Sequence, residues 1–276
     1  MSPAPGVTSA TPERRPYPSA RAMDGGARSI LFDASKCIGC RQCVEACKDW
    51  HDLPRGDTYR IGGSTWITME PPVPEGLARI WGRNSCMHCD YPSCAAVCPV
   101  EAITKFEEGP VVIDQAACIG CEYCVHACPW HVIAMSNVTK KATKCTMCHD
   151  RLGQGASPFC VEACPVDALH FGPAAEMEVR ADTRAAEIGG SVYGREQAGG
   201  TRVLHVLVGA VAEHGLPTVD SRRYPVHQMP WSIKIKGLLT VRGGFRGRWR
   251  AIENAWTKPW RLTYRYWQWW HRRWQR

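Results

Sequence analysis

The stretch Cys118-Ile-Gly-Cys-Glu-Tyr-Cys-Val-His-Ala-Cys-Pro129 arranges four cysteines as Cys-x2-Cys-x2-Cys-x3-Cys-Pro. All sixteen cysteines of the 276-residue chain fall into four motifs of this kind, and the second and fourth carry insertions. The motifs are Cys37, Cys40, Cys43 and Cys47; Cys86, Cys89, Cys94 and Cys98; Cys118, Cys121, Cys124 and Cys128; and Cys145, Cys148, Cys160 and Cys164.

This spacing favours [4Fe–4S] clusters, each held by four cysteine thiolates. Three closely spaced thiolates can surround one cluster only from an irregular loop, and Gly39 and Gly120 let the backbone approach it. The fourth cysteine lies about one helical turn further along and points away from that loop. We therefore expect each fourth cysteine to bind a neighbouring cluster.

Four zinc sites or a disulfide framework are the alternatives. Zinc sites normally pair two Cys-x2-Cys knuckles across a longer spacer, without a proline-terminated fourth cysteine. Disulfides require an oxidising compartment, but residues 1–28 lack the apolar stretch of a signal peptide and predict a disordered leader. The longest apolar run, Val203 to Ala212, is too short to span a bilayer, so no transmembrane helix is expected.

The residues around the cysteines also repeat, which predicts the fold class. Short helices are expected at Gln42–Cys47, Ser93–Cys98, Tyr123–Cys128 and Phe159–Cys164. Ile103–Phe106 and Val111–Asp114 flank a turn and predict a β-hairpin. The predicted fold is α+β, with two ferredoxin-like double-cluster modules, loop-rich insertions and a C-terminal helical tail.

We divide the chain into four segments. A leader at 1–28 precedes the four-cluster double ferredoxin-like domain at 29–172, which contains an insertion at 48–85. In this insertion, strands are expected at Trp66–Met69 and Ala78–Trp81 around a proline-rich loop, and they cover a cluster or contact a partner. A family-specific extension at 173–230 precedes a basic, tryptophan-rich tail at 231–276.

Four regions carry a family resemblance: Phe32–Cys40, Cys86–Cys89, Lys144–Arg151, and Ala198–Leu207 with His214–Pro217. They resemble the iron–sulfur (β) subunit of formate dehydrogenases, within the four-cluster electron-transfer subunits of molybdopterin oxidoreductases. The last region lies outside the cysteine motifs, so it discriminates within that superfamily. The resemblance extends over residues 29–217.

The resemblance implies four [4Fe–4S] clusters, with motif one paired to motif four and motif two to motif three. Lys144, just before motif four, is a candidate for tuning cluster potential. The implied ligand sets are Cys37, Cys40, Cys43 and Cys164; Cys145, Cys148, Cys160 and Cys47; Cys86, Cys89, Cys94 and Cys128; and Cys118, Cys121, Cys124 and Cys98.

The expected function is electron relay without substrate chemistry in this chain. The sequence contains no Gly-rich phosphate loop and no nucleophile–base pair, so substrate chemistry is expected in a partner subunit. The resemblance implies that this catalytic partner carries a molybdopterin or tungstopterin. A membrane cytochrome or another acceptor would receive the electrons. The alternatives are a reductase of a sulfur, arsenic or nitrogen oxyanion, and a free-standing polyferredoxin. The expected location is cytoplasmic or peripheral at the cytoplasmic membrane, or periplasmic by co-export with a signal-bearing partner.

The tail differs strongly in charge from the rest of the chain. Residues 231–276 contain 12 Lys and Arg against one acid, Glu253, whereas the formal net charge of the whole chain is only +8. The tail also holds 8 of the 12 tryptophans. A helix after Pro259 would gather aromatic residues on one side and arginines on the other. Residues 260–276 therefore suit peripheral membrane contact or docking on a partner subunit, and no nucleic acid partner is expected.

Overall fold

The computed structural model describes residues 26–71 and 80–220, and these residues form ten β-strands and six α-helices. In chain order they are β1 (Arg28–Asp33), α1 (Gln42–Trp50), β2 (Ile67–Glu70), β3 (Gly82–Ser85), α2 (Ser93–Val97), β4 (Ile103–Lys105), β5 (Val111–Ile113), α3 (Tyr123–Ala127), β6 (Ala134–Met135), β7 (Ala142–Thr143), α4 (His149–Leu152), α5 (Phe159–Glu162), β8 (Leu169–Pro173), α6 (Ala174–Ile188), β9 (Ser191–Tyr193) and β10 (Val203–Leu207). The predicted α+β class is confirmed at this level.

A four-stranded sheet joins the two ends of the described chain. Its order is β8-β1-β10-β9, with β1 parallel to β10 and the other pairs antiparallel. Side chains alternate between the two faces, as strand geometry requires. Leu31 and Leu204 pack against α6, whereas Ile30, Phe32 and Val203 belong to the core that contains the cysteines. The sheet therefore supports the cysteine motifs on one face and α6 on the other.

The predicted hairpin between motifs two and three is confirmed. Strands β4 and β5 pair antiparallel, with Ile103 opposite Ile113 and Lys105 opposite Val111. Ile103 and Ile113 are buried in the cysteine core. The hairpin therefore connects α2 to α3 while adding apolar cover to the motifs at both ends.

The insertion also contains a strand pair, but its second strand was predicted too early. The structure pairs Ile67–Glu70 with Gly82–Ser85, four residues beyond the start predicted at Ala78. Trp81 lies outside the strand because its ring packs against Gly39 in the first motif. The proline-rich segment at 72–79 lies outside the described residues.

Proline decides where the short helices end. Cys98 and Cys128 precede a proline and take extended backbone conformations, with ψ of 115° at both, so α2 and α3 stop there. Motif one has Lys48 at this position, and α1 continues to Trp50. The four short helices predicted around the third cysteine of each motif are confirmed. The first is the longest because no proline follows its fourth cysteine.

Three predicted features fall wholly or mainly outside the described residues: the leader, the proline-rich loop and the C-terminal helical tail. Within residues 26–71 and 80–220, no helix is long and apolar enough to cross a membrane. The predicted boundary between residues 172 and 173 falls inside β8, and the following residues supply α6, β9 and β10 to the same sheet unit.

Candidate functional site

The sixteen thiols are electrostatic neighbours in four groups, each combining three cysteines of one motif with the fourth cysteine of another. Group A contains Cys37, Cys40, Cys43 and Cys164; group B contains Cys47, Cys145, Cys148 and Cys160; group C contains Cys86, Cys89, Cys94 and Cys128; group D contains Cys98, Cys118, Cys121 and Cys124. All sixteen are free of disulfides. These groups contain the same cysteines as the ligand sets that the resemblance implies, and ligation itself stays a prediction.

These thiols lie close together among apolar side chains. Burial raises the pKa of Cys43 and Cys94 to about 12 and that of Cys121 and Cys145 to about 11. Neighbouring thiols of the same group contribute to each of these rises in pKa, because ionised thiolates repel one another. An iron–sulfur core removes this repulsion, since its iron ions bind thiolates and displace their protons. The donor sets therefore fit such a core.

Group D lines a pocket whose space, with the open solvent at its mouth included, is about 320 Å³. Its wall contains all four thiols of the group together with Val100, Ile103, Ile113 and Tyr123. Among the described residues, no group of three or more His, Cys, Asp or Glu side chains is arranged to hold a single metal ion. The pocket thus offers four sulfur donors around an apolar space.

The backbone turns in the same way in all four Cys-x2-Cys loops. The residue before the second cysteine has a positive φ of 69° at Gly39, 48° at His88, 70° at Gly120 and 56° at Met147. Such turns can direct successive backbone N–H groups to one side and form an anion-binding concavity. A [4Fe–4S] core with four thiolates is an anion of about −2, so this backbone shape suits it.

Two of these positions are glycine for a steric reason as well. A Cβ at Gly39 would collide with the ring of Trp81, and a Cβ at Gly120 would collide with the carbonyl oxygen of Lys140. The sequence suggested close approach to a cluster as the reason for glycine. The structure adds that neighbouring protein groups fill the space where a side chain would begin.

Backbone N–H groups also point at the fourth cysteines. The N–H of Ala102 donates to Cys98 Sγ at 3.2 Å, and the N–H of Ala168 donates to Cys164 Sγ at 3.3 Å. A backbone bond from Val132, four residues beyond Cys128, likewise lowers the pKa of that thiol, although burial outweighs it. Hydrogen bonds to sulfur stabilise the thiolate and raise the reduction potential of a bound cluster. The three proline-terminated motifs share this arrangement.

Lys144 is buried between groups B and C. Its Nζ donates to the carbonyl oxygen of Cys145 at 3.0 Å and to that of Val111. Burial by itself would lower the pKa of Lys144, but the neighbouring Cys86, Cys94 and Cys145 raise it above its ordinary value. The residue singled out from the sequence therefore places a positive charge among thiols of two groups.

Sequence reasoning missed a second buried cation, Arg83. It lies on β3, is 1% exposed, and its Nη2 is 3.7 Å from Cys160 Sγ. Nothing in a motif marks this residue, because it stands 77 positions from the cysteine that it contacts. The strand predicted from the sequence ended at Trp81, two residues before Arg83, so the prediction did not include this residue.

The four groups neighbour one another in the order A, B, C and D, and we call this order the line. The thiols that interact between groups are Cys43 with Cys160 for A and B, Cys145 with Cys86 for B and C, and Cys124 with Cys94 for C and D. Group A at one end includes Cys40, which is exposed to solvent, and group D at the other end includes the half-buried Cys118 and Cys121. Group A thus contains the most exposed thiol, group B is buried throughout, and group C contains one half-buried thiol, Cys89.

Crowded thiols, recurrent left-handed turns and hydrogen bonds to sulfur are typical of a [4Fe–4S] protein of the ferredoxin type. Residues 80–174 match the model of the 4Fe-4S dicluster domain, and residues 28–49 match that of the 4Fe-4S binding domain.

Three relatives narrow the class. The iron-sulfur subunit of nitrate-inducible formate dehydrogenase from Escherichia coli (strain K12) is 34% identical over 209 residues, 68% of this chain and 71% of the relative. The formate dehydrogenase-O iron-sulfur subunit of the same organism is 33% identical over 231 residues, 76% of this chain and 77% of the relative. The B subunit of its anaerobic dimethyl sulfoxide reductase is 39% identical over 161 residues, 57% of this chain and 78% of the relative.

The protein belongs to the family of 4Fe-4S iron–sulfur subunits that these three relatives represent. It is an electron-transfer subunit of an oxidoreductase complex, and its cofactors are [4Fe–4S] clusters.

Replacing Gly120 by alanine tests the fit of the loops. Gly120 and Gly155 have nearly the same φ, 70° and 76°, but a Cβ at Gly155 meets nothing within 4 Å. Both variants carry the left-handed strain of about 1–2 kcal/mol, and only Gly120→Ala adds a collision with backbone. We expect anaerobically purified Gly120→Ala to lose about four irons per chain and Gly155→Ala to keep its iron. Equal iron and sulfide contents in both variants would contradict this account.

Proposed function

We propose that the chain relays electrons between a molybdenum or tungsten pterin catalytic subunit of formate dehydrogenase type and a downstream acceptor. The observation that carries this proposal is the order of groups A, B, C and D, which suits conduction from one end of the line to the other. The names of the formate dehydrogenase relatives support the choice of complex.

The proposal includes four clusters, one for each thiol group. When bound, a [4Fe–4S] cluster accepts and returns one electron. The chain holds the four positions close together and surrounds them with apolar side chains, backbone N–H donors and buried cations. Groups A and B then form one ferredoxin-like module, and groups C and D form the other. The division into segments at 1–28, 29–172, 173–230 and 231–276 belongs to the same proposal.

The crossing of the fourth cysteines between motifs can be tested by spectroscopy. We expect Cys37→Ser and Cys164→Ser to perturb the same cluster signal in low-temperature EPR, because both residues belong to group A. Cys47→Ser should perturb a different signal, shared with Cys148→Ser, although Cys47 lies in the same motif as Cys37. A shared signal for Cys37→Ser and Cys47→Ser, distinct from that of Cys164→Ser, would refute the crossed arrangement.

Lys144 acts in this proposal as a fixed positive charge between groups B and C. Reduction adds one electron to a cluster, so a nearby cation favours the reduced state. The bonds from Nζ to two carbonyl oxygens hold this charge in place. Lys144 therefore favours electrons in the middle of the line.

A second candidate function is the same electron relay with another molybdopterin oxidoreductase, such as a reductase of a sulfur, arsenic or nitrogen oxyanion. The 39% identity to the dimethyl sulfoxide reductase subunit supports it, but that match covers 57% of this chain. The formate dehydrogenase-O match covers 76%. The wider coverage and the resemblance in Ala198–Leu207 favour the formate dehydrogenase type. A free-standing polyferredoxin would need neither the insertion nor the tail.

Substrate addition to the native complex distinguishes these functions. We expect the chain, purified anaerobically with its catalytic partner, to show bleached cluster absorbance on adding formate, because electrons from formate enter the line. Dimethyl sulfoxide, added after reduction with dithionite, should leave the clusters reduced. The second candidate would be favoured if formate leaves the clusters oxidised and dimethyl sulfoxide reoxidises clusters that dithionite has reduced.

We further propose a cytoplasmic location, peripheral at the cytoplasmic membrane through residues 260–276, with periplasmic co-export as the alternative. The downstream acceptor is then a membrane cytochrome or another carrier. The basic and tryptophan-rich composition of the tail supports surface contact, since arginine attracts anionic headgroups and indoles favour the interface.

Vesicle binding tests the tail. We expect the intact chain to pellet with liposomes that contain anionic lipid and the truncated chain Met1–Met229 to remain in the supernatant. High salt should weaken binding, because the Debye length falls to about 3 Å at 1 M ionic strength. Equal pelleting of both chains would eliminate the membrane role and leave docking on a partner subunit.

A further inference from the structure

We propose that Arg83 is a positioning residue shared by groups A and B, and that its charge raises the reduction potentials of the clusters that these two groups hold. This rests on the part of the proposed function that assigns clusters to the thiol groups, and not on the substrate of the complex. The role of Arg83 is supported by its position on β3, its burial and the chemistry of its partners.

The cross-strand pair of Met69 and Arg83 connects the two groups. These residues face each other across β2 and β3, so their side chains extend on the same side of the hairpin. Met69 Sδ lies 3.7 Å from Cys43 Sγ of group A, and Arg83 Nη2 lies 3.7 Å from Cys160 Sγ of group B. The hairpin therefore reaches both groups with neighbouring side chains.

The guanidinium is fixed where it lies. Arg83 is 1% exposed, and its Nη1 donates to Ser85 Oγ at 2.6 Å. Ser85 precedes the first cysteine of motif two, so this bond also ties the cation to the chain that enters group C. The guanidinium is held at both Nη atoms, which leaves it little freedom to turn away from the sulfur that it contacts.

The partners of Arg83 are thiols of both groups. Burial by itself would lower the pKa of Arg83, but Cys160, Cys43, Cys145 and Cys47 raise it above its ordinary value. Groups A and B thus both contribute. The guanidinium in turn opposes the rise in the pKa of Cys43 that burial causes.

Two other buried cations show a different arrangement. Lys105 lies 3.4 Å and Arg202 2.8 Å from Asp90, so these two share a buried carboxylate. Among the described ion pairs, none joins Arg83 to a carboxylate. An ionised group that is removed from water needs a charged partner. For Arg83, the thiolates and their clusters supply the negative charge.

The effect on potential follows from this placement. One-electron reduction makes a cluster more negative, and a cation that cannot lose its proton stabilises the reduced form at any accessible pH. A hydrogen bond from Nη2 to Cys160 Sγ acts in the same direction, because it withdraws charge from the ligand sulfur. Groups C and D lie further along the line. Arg83 therefore keeps the clusters of A and B easier to reduce than their thiol ligands alone would.

Redox titration of the full chain in its complex, followed by EPR, tests the proposal. Arg83→Met removes the charge and keeps an apolar side chain in the buried space. We expect two of the four midpoint potentials to fall, each by about a tenfold change in the reduction equilibrium, which is about 59 mV for one electron. The signals perturbed by Cys37→Ser and Cys47→Ser identify these two clusters. Arg83→Lys should restore part of the shift.

Arg55→Met is the matched control, because Arg55 lies in the same insertion and its side chain is 73% exposed. It should leave all four potentials unchanged. If Arg83→Met loses iron, Arg83→Gln replaces it and keeps a donor while removing the charge. Unchanged potentials at full iron content, or an equal fall in all four, would overturn the proposal. A failure of the proposed formate reaction would leave these potentials as they are, so the two failures are distinguishable.

Discussion

Each of groups A to D takes its four sulfur atoms from two motifs. The need to bring two distant motifs together determines much of the architecture. Group A needs Cys164 beside Cys37, and the pairing of β1 with β8 brings these regions together, with Phe32 opposite Leu169. Groups C and D exchange their fourth cysteines across the hairpin of β4 and β5. The sheet and the hairpin are therefore the means by which distant cysteines meet. Strand β10, from the C-terminal extension, completes the sheet beside β1.

Thiolates that lie close together in an apolar interior repel one another, and three features of the structure stabilise their negative charge. Left-handed turns recur before the second cysteine of every motif, and backbone N–H groups donate to Cys98 and Cys164. Buried cations occupy the junctions between groups, with Arg83 at A and B and Lys144 at B and C. Each device favours a bound anion. Group B therefore lies beside two buried cations.

The sequence predicts those features that depend on neighbours along the chain. Cysteine spacing predicts the motifs, strand-forming residues on both sides of a turn predict the β4–β5 hairpin, and proline explains the helix ends at Cys98 and Cys128. Features that depend on contacts between residues far apart in the chain are harder to predict from the sequence. The sheet depends on the pairing of Ile30 with Val203, and the second insertion strand begins later because Trp81 covers Gly39. The role of Arg83 becomes visible only from its contact with Cys160.

We propose that four clusters lie in the order A, B, C and D, each bound by cysteines of two motifs. The most direct measurement is an anomalous difference map at the iron absorption edge, from crystals of the anaerobically purified complex. We expect four iron peaks, one within each of groups A, B, C and D. Fewer than four peaks, zinc in their place, or a cluster bound by all four cysteines of a single motif would contradict it.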